Sequence, residues 1–254
     1  MMQVRLQQAE TQLASHRLAA AAATVQGLQE LGGSWVTLQG KPLHEWQEVL
    51  EQQLTQLEWL VRRPLAVAAT PEQRFQRAEI LIQLHRLDEA AQLLQPLSQG
   101  SVLATLLLAV VERERRRWLA SDQAYQRALD FLARHLDDHP DYRLFARQAI
   151  EGLVHNARED RRPQDCVGVL QRGLELLPEE RSYFHYLLAR HYIDAGQPGR
   201  AWQHLHDAAT AAPNQLSQQR LELQRRLLQS TPICLLHSPR PPFLKELADG
   251  GADK

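Results

Sequence analysis

The chain has 254 residues, and its 29 basic and 30 acidic side chains leave a formal net charge of −1 at pH 7. This balance gives no global electrostatic reason to expect binding to nucleic acid or to a membrane surface. Glycine and proline are sparse (12 and 13 residues), and good helix formers dominate a composition that is 44% hydrophobic, which argues against a turn-rich β protein.

The first 66 residues are predicted to form an N-terminal helical segment. Residues 3–31 are rich in glutamine and alanine and carry an irregular helical stripe of apolar residues. Residues 34–41 have local strand character but are too short to assign. A second helix follows, in which Trp46 and Trp59 are expected to cover the end of the core.

Residues 71–214 show a pattern of about four helix pairs, because apolar residues recur every three or four positions between short breaks. Ser121 or Asp122 is expected to cap the second helix of the second pair. His85 stands in the turn of the first pair. The expected pairs are 75–82 with 87–97, 101–118 with 121–138, 142–158 with 163–177, and two short helices within 182–214.

A recurring spacing links the last three pairs. Ala128, Cys166 and Ala201 each stand twelve residues before a proline, at steps of 38 and 35 residues. We interpret them as one small residue of successive repeats, placed where two helices cross closely. Cys166 is therefore expected to be buried and inert.

The last pair, residues 182–214, has the clearest pattern. A glycine ends its first helix, small residues stand where the two helices cross, and a proline lies past the end of the second helix. These landmarks are Ala189, Tyr192, Gly196, Ala201, Ala208 and Pro213. The pattern resembles the tetratricopeptide repeat (TPR), a helix-turn-helix unit of about 34 residues. Residues 71–180 resemble it in a degenerate form.

The resemblance implies an all-α fold, a right-handed TPR-like superhelical solenoid, with a capping helix over residues 215–230 and a partly disordered tail over 231–254. In that fold, the first helix of each pair lines a concave groove that binds a peptide or a helix of a partner protein. The residues carried over to this groove are Glu72, Phe75, Glu79, Gln83, Arg113, Arg117, Gln148, Glu151, His155, Arg158, Tyr183, Tyr186, Arg190 and Asp194.

The charged run over residues 112–118, ERERRRW, allows three interpretations. It is a solvated face with Glu–Arg pairs and an inward Trp118, or a surface for an acidic protein partner, or a contact to a nucleic-acid backbone. The near-zero net charge weighs against the last interpretation. We therefore expect a protein partner and no binding to nucleic acid.

Candidate metal ligands and catalytic groups have simpler explanations. His135 and His139 are four residues apart but lack a third ligand, and capping of a helix C-terminus explains them as well. His204 and His206 lie on different faces of one helix, because residues two apart do not converge. Since the sequence has no phosphate-binding glycine loop and no nucleophile elbow, we predict no catalytic residue, no metal and no cofactor.

Cysteine usage and apolar run lengths indicate a compartment. Cys166 and Cys234 fit neither a metal-ligand nor a CxxC spacing, which suggests reduced thiols and a cytoplasmic location. The longest apolar run, residues 101–111, is shorter than the ~18 residues of a membrane span and suits a buried helix. Residues 1–12 lack the order of a secretory signal.

The sequence thus indicates a non-catalytic adaptor or assembly factor for protein–protein interaction. Tyr183 and Tyr186, as rigid amphipathic anchors, suit a peptide better than a phosphate polymer. Two alternatives remain open. One is self-association through the N-terminal helix or the ends of the solenoid, and the other is a docking or regulatory subunit of an enzyme system.

Overall fold

Helices joined by short turns make up the part of the chain that the computed structural model describes, which is residues 18–29, 43–65, 69–212, 219 and 222–224. No strand occurs among these residues. The helices are α1 (Leu18–Gln29), α2 (Leu43–Arg62), α3 (Pro71–Gln83), α4 (Leu87–Leu97), α5 (Val102–Glu114), α6 (Trp118–His135), α7 (Tyr142–Glu159), α8 (Pro163–Leu176), α9 (Arg181–Asp194) and α10 (Pro198–Ala211), with a 3-10 turn at Pro178–Glu180.

Four turns share one backbone geometry. After α3, α5, α7 and α9, one residue adopts the left-handed conformation, and the next N–H donates to a carbonyl oxygen five residues earlier, which defines the Schellman motif. The left-handed residues are His85, Arg116, Arg161 and Gly196, with φ of 57°, 58°, 56° and 66°. The bonds are Arg86 to Leu81 (2.8 Å), Arg117 to Glu112 (2.9 Å), Arg162 to Ala157 (2.7 Å) and Gln197 to Tyr192 (2.8 Å).

These turns join four successive helix pairs along the chain, α3 to α4, α5 to α6, α7 to α8 and α9 to α10. Contacts within a pair form the hairpins α3–α4, α5–α6 and α9–α10. Within the described residues, α4 also packs against α5, and α8 packs against α9. The left-handed residues at 85, 116, 161 and 196 are 31, 45 and 35 residues apart. The long middle interval arises because α6 and α7 have 18 residues each. The predicted all-α, TPR-like fold class is confirmed by this repeated unit.

The positions of the turns also show which small residues are equivalent in successive repeats. The small residue five positions after each left-handed residue is Ala90, Ser121, Cys166 or Ala201, and all four are fully buried. Ala128 instead lies twelve positions after Arg116, so it is equivalent to Ala208. Placing Ala128 with Cys166 and Ala201 was wrong by seven residues, because α6, α8 and α10 each carry a second small residue two turns after the first, namely Ala128, Gly173 and Ala208.

The turn between α5 and α6 also lies at a different place from the one expected from the sequence. The turn lies at residues 115–117 rather than near residue 120, because Arg116 adopts the left-handed conformation without being a glycine. Ser121 therefore does not cap α6. Its side chain is buried, and its Oγ donates to the carbonyl oxygen of Ala109 at 2.7 Å, which joins α6 to α5.

The chain divides into two compact units, Met1–Asn156 and Ala157–Lys254. In the first unit, small side chains let α3 and α4 approach closely, and leucines fill the space between the helices. The central buried cluster consists of Val61, Ala78, Leu81, Ala90, Ala91, Leu94, Ala104, Leu108 and Val111. The guanidinium of Arg77 on α3 donates to the carbonyl oxygens of Val61 and Arg63, so a cation closes the C-terminus of α2.

At the N-terminal end of the first unit, α1 packs against α2. Leu50 and Val61, eleven residues apart on one face of α2, are buried. Trp59 lies on another face and is exposed, with the guanidinium of Arg63 3.9 Å from its ring centroid. The expectation that Trp59 covers the core is therefore wrong, because the buried face of α2 is set by Leu50 and Val61.

In the second unit, α8, α9 and α10 pack around Phe184, whose ring lies against Gly173. Ser182, fully buried at the start of α9, donates its Oγ proton to the carbonyl oxygen of Ala208 at 2.9 Å. This bond fixes the open end of the α9–α10 hairpin, and the Gly196 turn fixes the other end.

Some expectations lie outside the described residues. These are the helix over residues 3–17, the segment 34–41, most of the capping helix at 215–230 and the tail at 231–254, while residues 222–224 are helical. The proposed domain boundaries stay predictions. None of the described helices combines the length and the apolar character that crossing a bilayer requires.

Candidate functional site

Two depressions lie along the first helices of the hairpins in the first unit. The α5–α7 depression has a volume of about 690 Å³ and is lined by Leu103, Leu106, Leu107, Val110, Arg113, Tyr125, Gln148, Glu151, Gly152 and His155. The α3–α5 depression has a volume of about 620 Å³ and is lined by Pro71, Glu72, Phe75, Gln76, Glu79, Leu97, Gly100, Ser101, Leu103 and Ala104. Leu103 lines both, so we treat them together as the groove.

The floor of the groove is apolar because α5 is apolar on two faces. One face, with Ala104, Leu108 and Val111, is buried in the core. The other presents Leu103 and its neighbours to the groove, and 42% of the surface of Leu103 is exposed. The run over 101–111 was expected to form a buried helix, so sequence reasoning missed the groove floor. An apolar run too wide for one helix face was the available signal.

Arg113 supplies the cationic group of the groove. Its Nη1 lies 3.4 Å from the hydroxyl of Tyr125, and its Nη2 lies 3.5 Å from a carboxylate oxygen of Glu114. Its Nε is buried and has no hydrogen-bond partner among the described residues. Because a guanidinium has five N–H donors, this side chain retains capacity to bind a carbonyl or carboxylate oxygen.

Tyr125 forms the back wall of the α5–α7 depression. Burial raises the pKa of its hydroxyl, and the nearby charge of Arg113 opposes that shift only in part, so the phenol is protonated at neutral pH. A Cβ at position 152 would overlap the Tyr125 ring, so glycine at this position lets the ring lie against α7. The groove therefore depends on Gly152 for its shape.

One buried amide holds α7 beside α6. Asn156 is fully buried, and its Nδ2 donates to the Oγ of Ser121 and to a carboxylate oxygen of Asp122, both at 2.8 Å. On the groove side of the same helix, Glu151 pairs with Arg147 at 2.9 Å, and His155 is exposed at the rim. The buried hydrogen bonds of Asn156 hold α7 against α6, and Glu151 and His155 form the polar rim on the other side of α7.

The structure brings together many of the carried-over residues. Glu72, Phe75 and Glu79 line the α3–α5 depression, and Arg113, Gln148, Glu151 and His155 line the α5–α7 depression. Arg117 lines neither depression. It lies in the turn before α6, exposed, with its Nε 4.0 Å from a carboxylate oxygen of Glu112. Gln83 is half-buried and also lines neither.

The remaining carried-over residues belong to the second unit and are described separately. Tyr183, Tyr186, Arg190 and Asp194 recur every three or four residues along one side of α9, which we call the α9 face. The two tyrosines are half-buried, and the other two residues are exposed. Arg158 is half-buried at the end of α7, where it hydrogen-bonds the Cys166 side chain and its charge acts on His191.

The charged run at the α5–α6 turn is largely paired within the protein. Arg115 lies 2.7 Å from Glu112 and 2.5 Å from Asp88 at the start of α4, so it joins two hairpins. His135, the last residue of α6, lies 2.7 Å from a carboxylate oxygen of Asp138, and His139 lies 3.6 Å from a carboxylate oxygen of Asp141. These contacts are with side-chain carboxylates, so capping of the helix C-terminus stays a prediction for both histidines.

No protein-family model matches the sequence, and no curated protein matches it either. Among solved structures, the chain is similar to one from the APC/C hetero-tetramer Cut9–Hcn1, with 17% identity, a TM-score of 0.42, and coverage of 88% of this chain and 42% of that chain. It is similar to a tetratricopeptide repeat protein from Parabacteroides merdae, with 15% identity, a TM-score of 0.41, and coverage of 88% and 83%.

A third similar structure is the P58(IPK) TPR domain, with 16% identity, a TM-score of 0.27, and coverage of 89% of this chain and 79% of that chain. The chain spans less than half the length of the Cut9–Hcn1 chain that it matches. All three TM-scores lie below 0.5, so the TPR-like fold is assigned from the four Schellman turns and the hairpins that they join.

Proposed function

We propose that the chain is a non-catalytic, cytoplasmic adaptor or assembly factor that binds a peptide or helical segment of a partner protein in the groove on α3, α5 and α7. The observation that carries this proposal is the exposed apolar floor centred on Leu103, which joins two depressions beside a polar rim. An apolar centre with a polar rim is the usual anatomy of a protein–protein interface.

The groove favours a partner segment that carries apolar side chains and an oxygen acceptor. Apolar side chains of the partner would occupy the floor beside Leu103, and an oxygen acceptor would bind the solvent-accessible part of the Arg113 guanidinium. A backbone carbonyl or an acidic side chain can supply that acceptor. Of the arginines in residues 113–117, Arg113 is the one that lines the groove, so the acidic-partner hypothesis is tested there.

The experiment compares partner recovery by the full chain and by groove variants from a lysate of the native host, quantified by mass spectrometry. Leu103→Asp and Arg113→Ala are expected to reduce recovery of the specific partner at least about tenfold, since loss of a hot-spot residue at the centre of an interface costs about 2 kcal/mol or more. Leu119→Asp is the matched control, because Leu119 is 72% exposed and lines neither depression.

Circular dichroism and thermal unfolding establish that each variant is folded. Equal recovery by folded Leu103→Asp and wild-type protein would remove the groove from the proposal. The α9 face is tested separately with a Tyr186→Ala, Arg190→Ala variant. Loss of the partner in that variant alone would move the binding site to α9.

Self-association is a second candidate, supported by α2. Val49 and Leu60 are exposed and lie eleven residues apart, which places them on one face of this helix. Light scattering at several concentrations distinguishes the two functions. A dimer that is lost in a Val49→Lys, Leu60→Lys variant would favour self-association, and a concentration-independent monomer would exclude it.

A further inference from the structure

Three potential metal ligands converge in the α9–α10 hairpin of the second unit. His185 on α9 faces His204 and Asp207 on α10. The Nδ1 atoms of the two histidines lie 3.0 Å apart, and each lies 3.9 Å from a carboxylate oxygen of Asp207. We propose that these three side chains form a binding site for a divalent transition-metal ion, with Zn²⁺ as the best-fitting ion.

The spacing fits a four-coordinate ion. Zn–N and Zn–O bonds of about 2.0–2.1 Å in a tetrahedral arrangement place ligand atoms about 3.3–3.4 Å from one another. The distances of 3.0 and 3.9 Å bracket that value, so small rotations of the side chains bring all three atoms onto one ion. The site lies outside the groove and does not depend on the proposed partner-binding function.

The helix geometry explains why these residues meet. His204 and Asp207 are three residues apart, so they share one face of α10. The Gly196 turn folds α9 back along α10 and brings His185 opposite that face. His206 lies on another face and is exposed. Sequence reasoning placed His204 and His206 on different faces of the helix and missed His185, because that contact depends on the register of the hairpin.

The surroundings hold the ligands in place. The ring of Tyr192 stacks on that of His204, with centroids 5.4 Å apart and an interplanar angle of 1°. The buried bond from Ser182 to Ala208 fixes the helices near the site. Burial lowers the pKa of both His185 and His204, which favours the neutral imidazoles that coordinate metals.

The donor set selects among metals. Two imidazoles and one carboxylate, without a thiolate, suit Zn²⁺ and its neighbours better than Ca²⁺ or Mg²⁺, which prefer oxygen ligands. Zn²⁺ has no geometric preference from its d electrons, so it tolerates the uneven spacing of this site. All three side chains are half-buried, which leaves solvent access for a water molecule as the fourth ligand.

The test is calorimetric titration of Zn²⁺ into the full chain after removal of any affinity tag. We expect one Zn²⁺ per chain at this site, and a loss of affinity of at least about 100-fold in His204→Asn and in Asp207→Asn, since even outer-shell changes cost 10–100-fold. His206→Asn is the matched control on the same helix and should bind as the wild type does.

Two further measurements make the assignment specific. Co²⁺ should give the ligand-field absorption of a four-coordinate nitrogen and oxygen site in the wild type but not in Asp207→Asn. Zn²⁺ should raise the melting temperature of the wild type, because the ion joins α9 to α10 in the folded state only. Equal Zn²⁺ affinity in the wild type and both ligand variants, or no binding to the wild type, would overturn the proposal.

Discussion

Two glycines determine how aromatic rings pack between consecutive hairpins. The ring of Tyr125 on α6 lies against Gly152 on α7, and the ring of Phe184 on α9 lies against Gly173 on α8. In the first pair the aromatic residue belongs to the earlier hairpin, and in the second pair it belongs to the later one. Both contacts leave no space for a Cβ, so these positions select glycine for its size.

Gly152→Ala tests this packing in the first unit. A Cβ at this position would lie 2.6 Å from Cε1 of Tyr125, so the ring or the helix must shift. We expect the free energy of unfolding to fall by about 1–3 kcal/mol, measured by urea denaturation. Gly168→Ala is the matched control. Open space surrounds its Cβ, and the better helix propensity should raise stability by about 0.5–1 kcal/mol.

His191 makes stability depend on pH. Its ring is buried, and burial lowers its pKa, with the charge of Arg158 adding to the shift and that of Asp194 opposing it. The unfolded chain therefore binds a proton more readily than the folded protein, so stability is lost as the pH falls below about 6.5. His191→Gln should flatten this part of the profile measured between pH 8 and pH 5.

Arg158→Met provides an independent check on the same residue. Removing the nearby cation should raise the pKa of His191 toward its ordinary value, so the loss of stability on acidification becomes smaller. An unchanged profile in both variants would show that other groups produce the pH dependence.

At the residue scale, the sequence predicted some of the site. Polar groove residues such as Glu79, Arg113 and His155 could be carried over because first-helix positions recur in a TPR-like pattern. Cys166 was predicted to be buried, and this is confirmed. Leu103 and His185 were missed, because an apolar residue resembles core in a sequence and a cross-hairpin contact requires the turn register.

At the scale of the element, the Schellman turns are the repeated feature of the chain. Only Gly196 among the four left-handed residues is a glycine, and the others are His85, Arg116 and Arg161. A left-handed conformation costs about 1–2 kcal/mol for a residue with a Cβ. The sequence marks the turn at Gly196 with a glycine, but it gives no such signal at the other three turns. The helix boundaries near Arg116 were misplaced for this reason.

Substitutions at these turns should change stability in opposite directions. Arg116→Gly removes the Cβ cost but increases the entropy of the unfolded chain, so we expect a net gain of about 0.5–1 kcal/mol. Gly196→Ala should lose about 0.5–1 kcal/mol for the converse reason. Urea denaturation of both variants checks the pair. A loss of stability in Arg116→Gly would contradict the proposed strain.

At the scale of the whole molecule, the near-zero net charge bears on partners. A nucleic-acid binder needs a basic surface, and the arginines at the α5–α6 turn are largely paired with Glu112, Glu114 and Asp88. We therefore expect no saturable binding of a labelled duplex DNA or RNA at low salt, up to about 10 μM protein. Fluorescence anisotropy measures this, and micromolar binding that weakens steeply with salt would contradict it.

The number of hairpins was predictable from the whole sequence, since apolar spacing marked each helix pair between residues 71 and 212. The lengths of the repeats were not predictable, because the 45-residue step between Arg116 and Arg161 depends on how far α6 and α7 extend. Helix length at fixed composition is decided by packing against neighbours, which a single sequence does not specify.

The two apolar faces of α5 have a consequence for evolution. Residues on the inward face, such as Leu108 and Val111, are buried in the core, so truncating them should cost about 2–5 kcal/mol of stability. Leu103 and Val110, on the opposite face, are free to vary without the same penalty. Under the proposed function, a lineage could exchange one partner protein for another by altering a few side chains on a single helix while the rest of the fold stays unchanged.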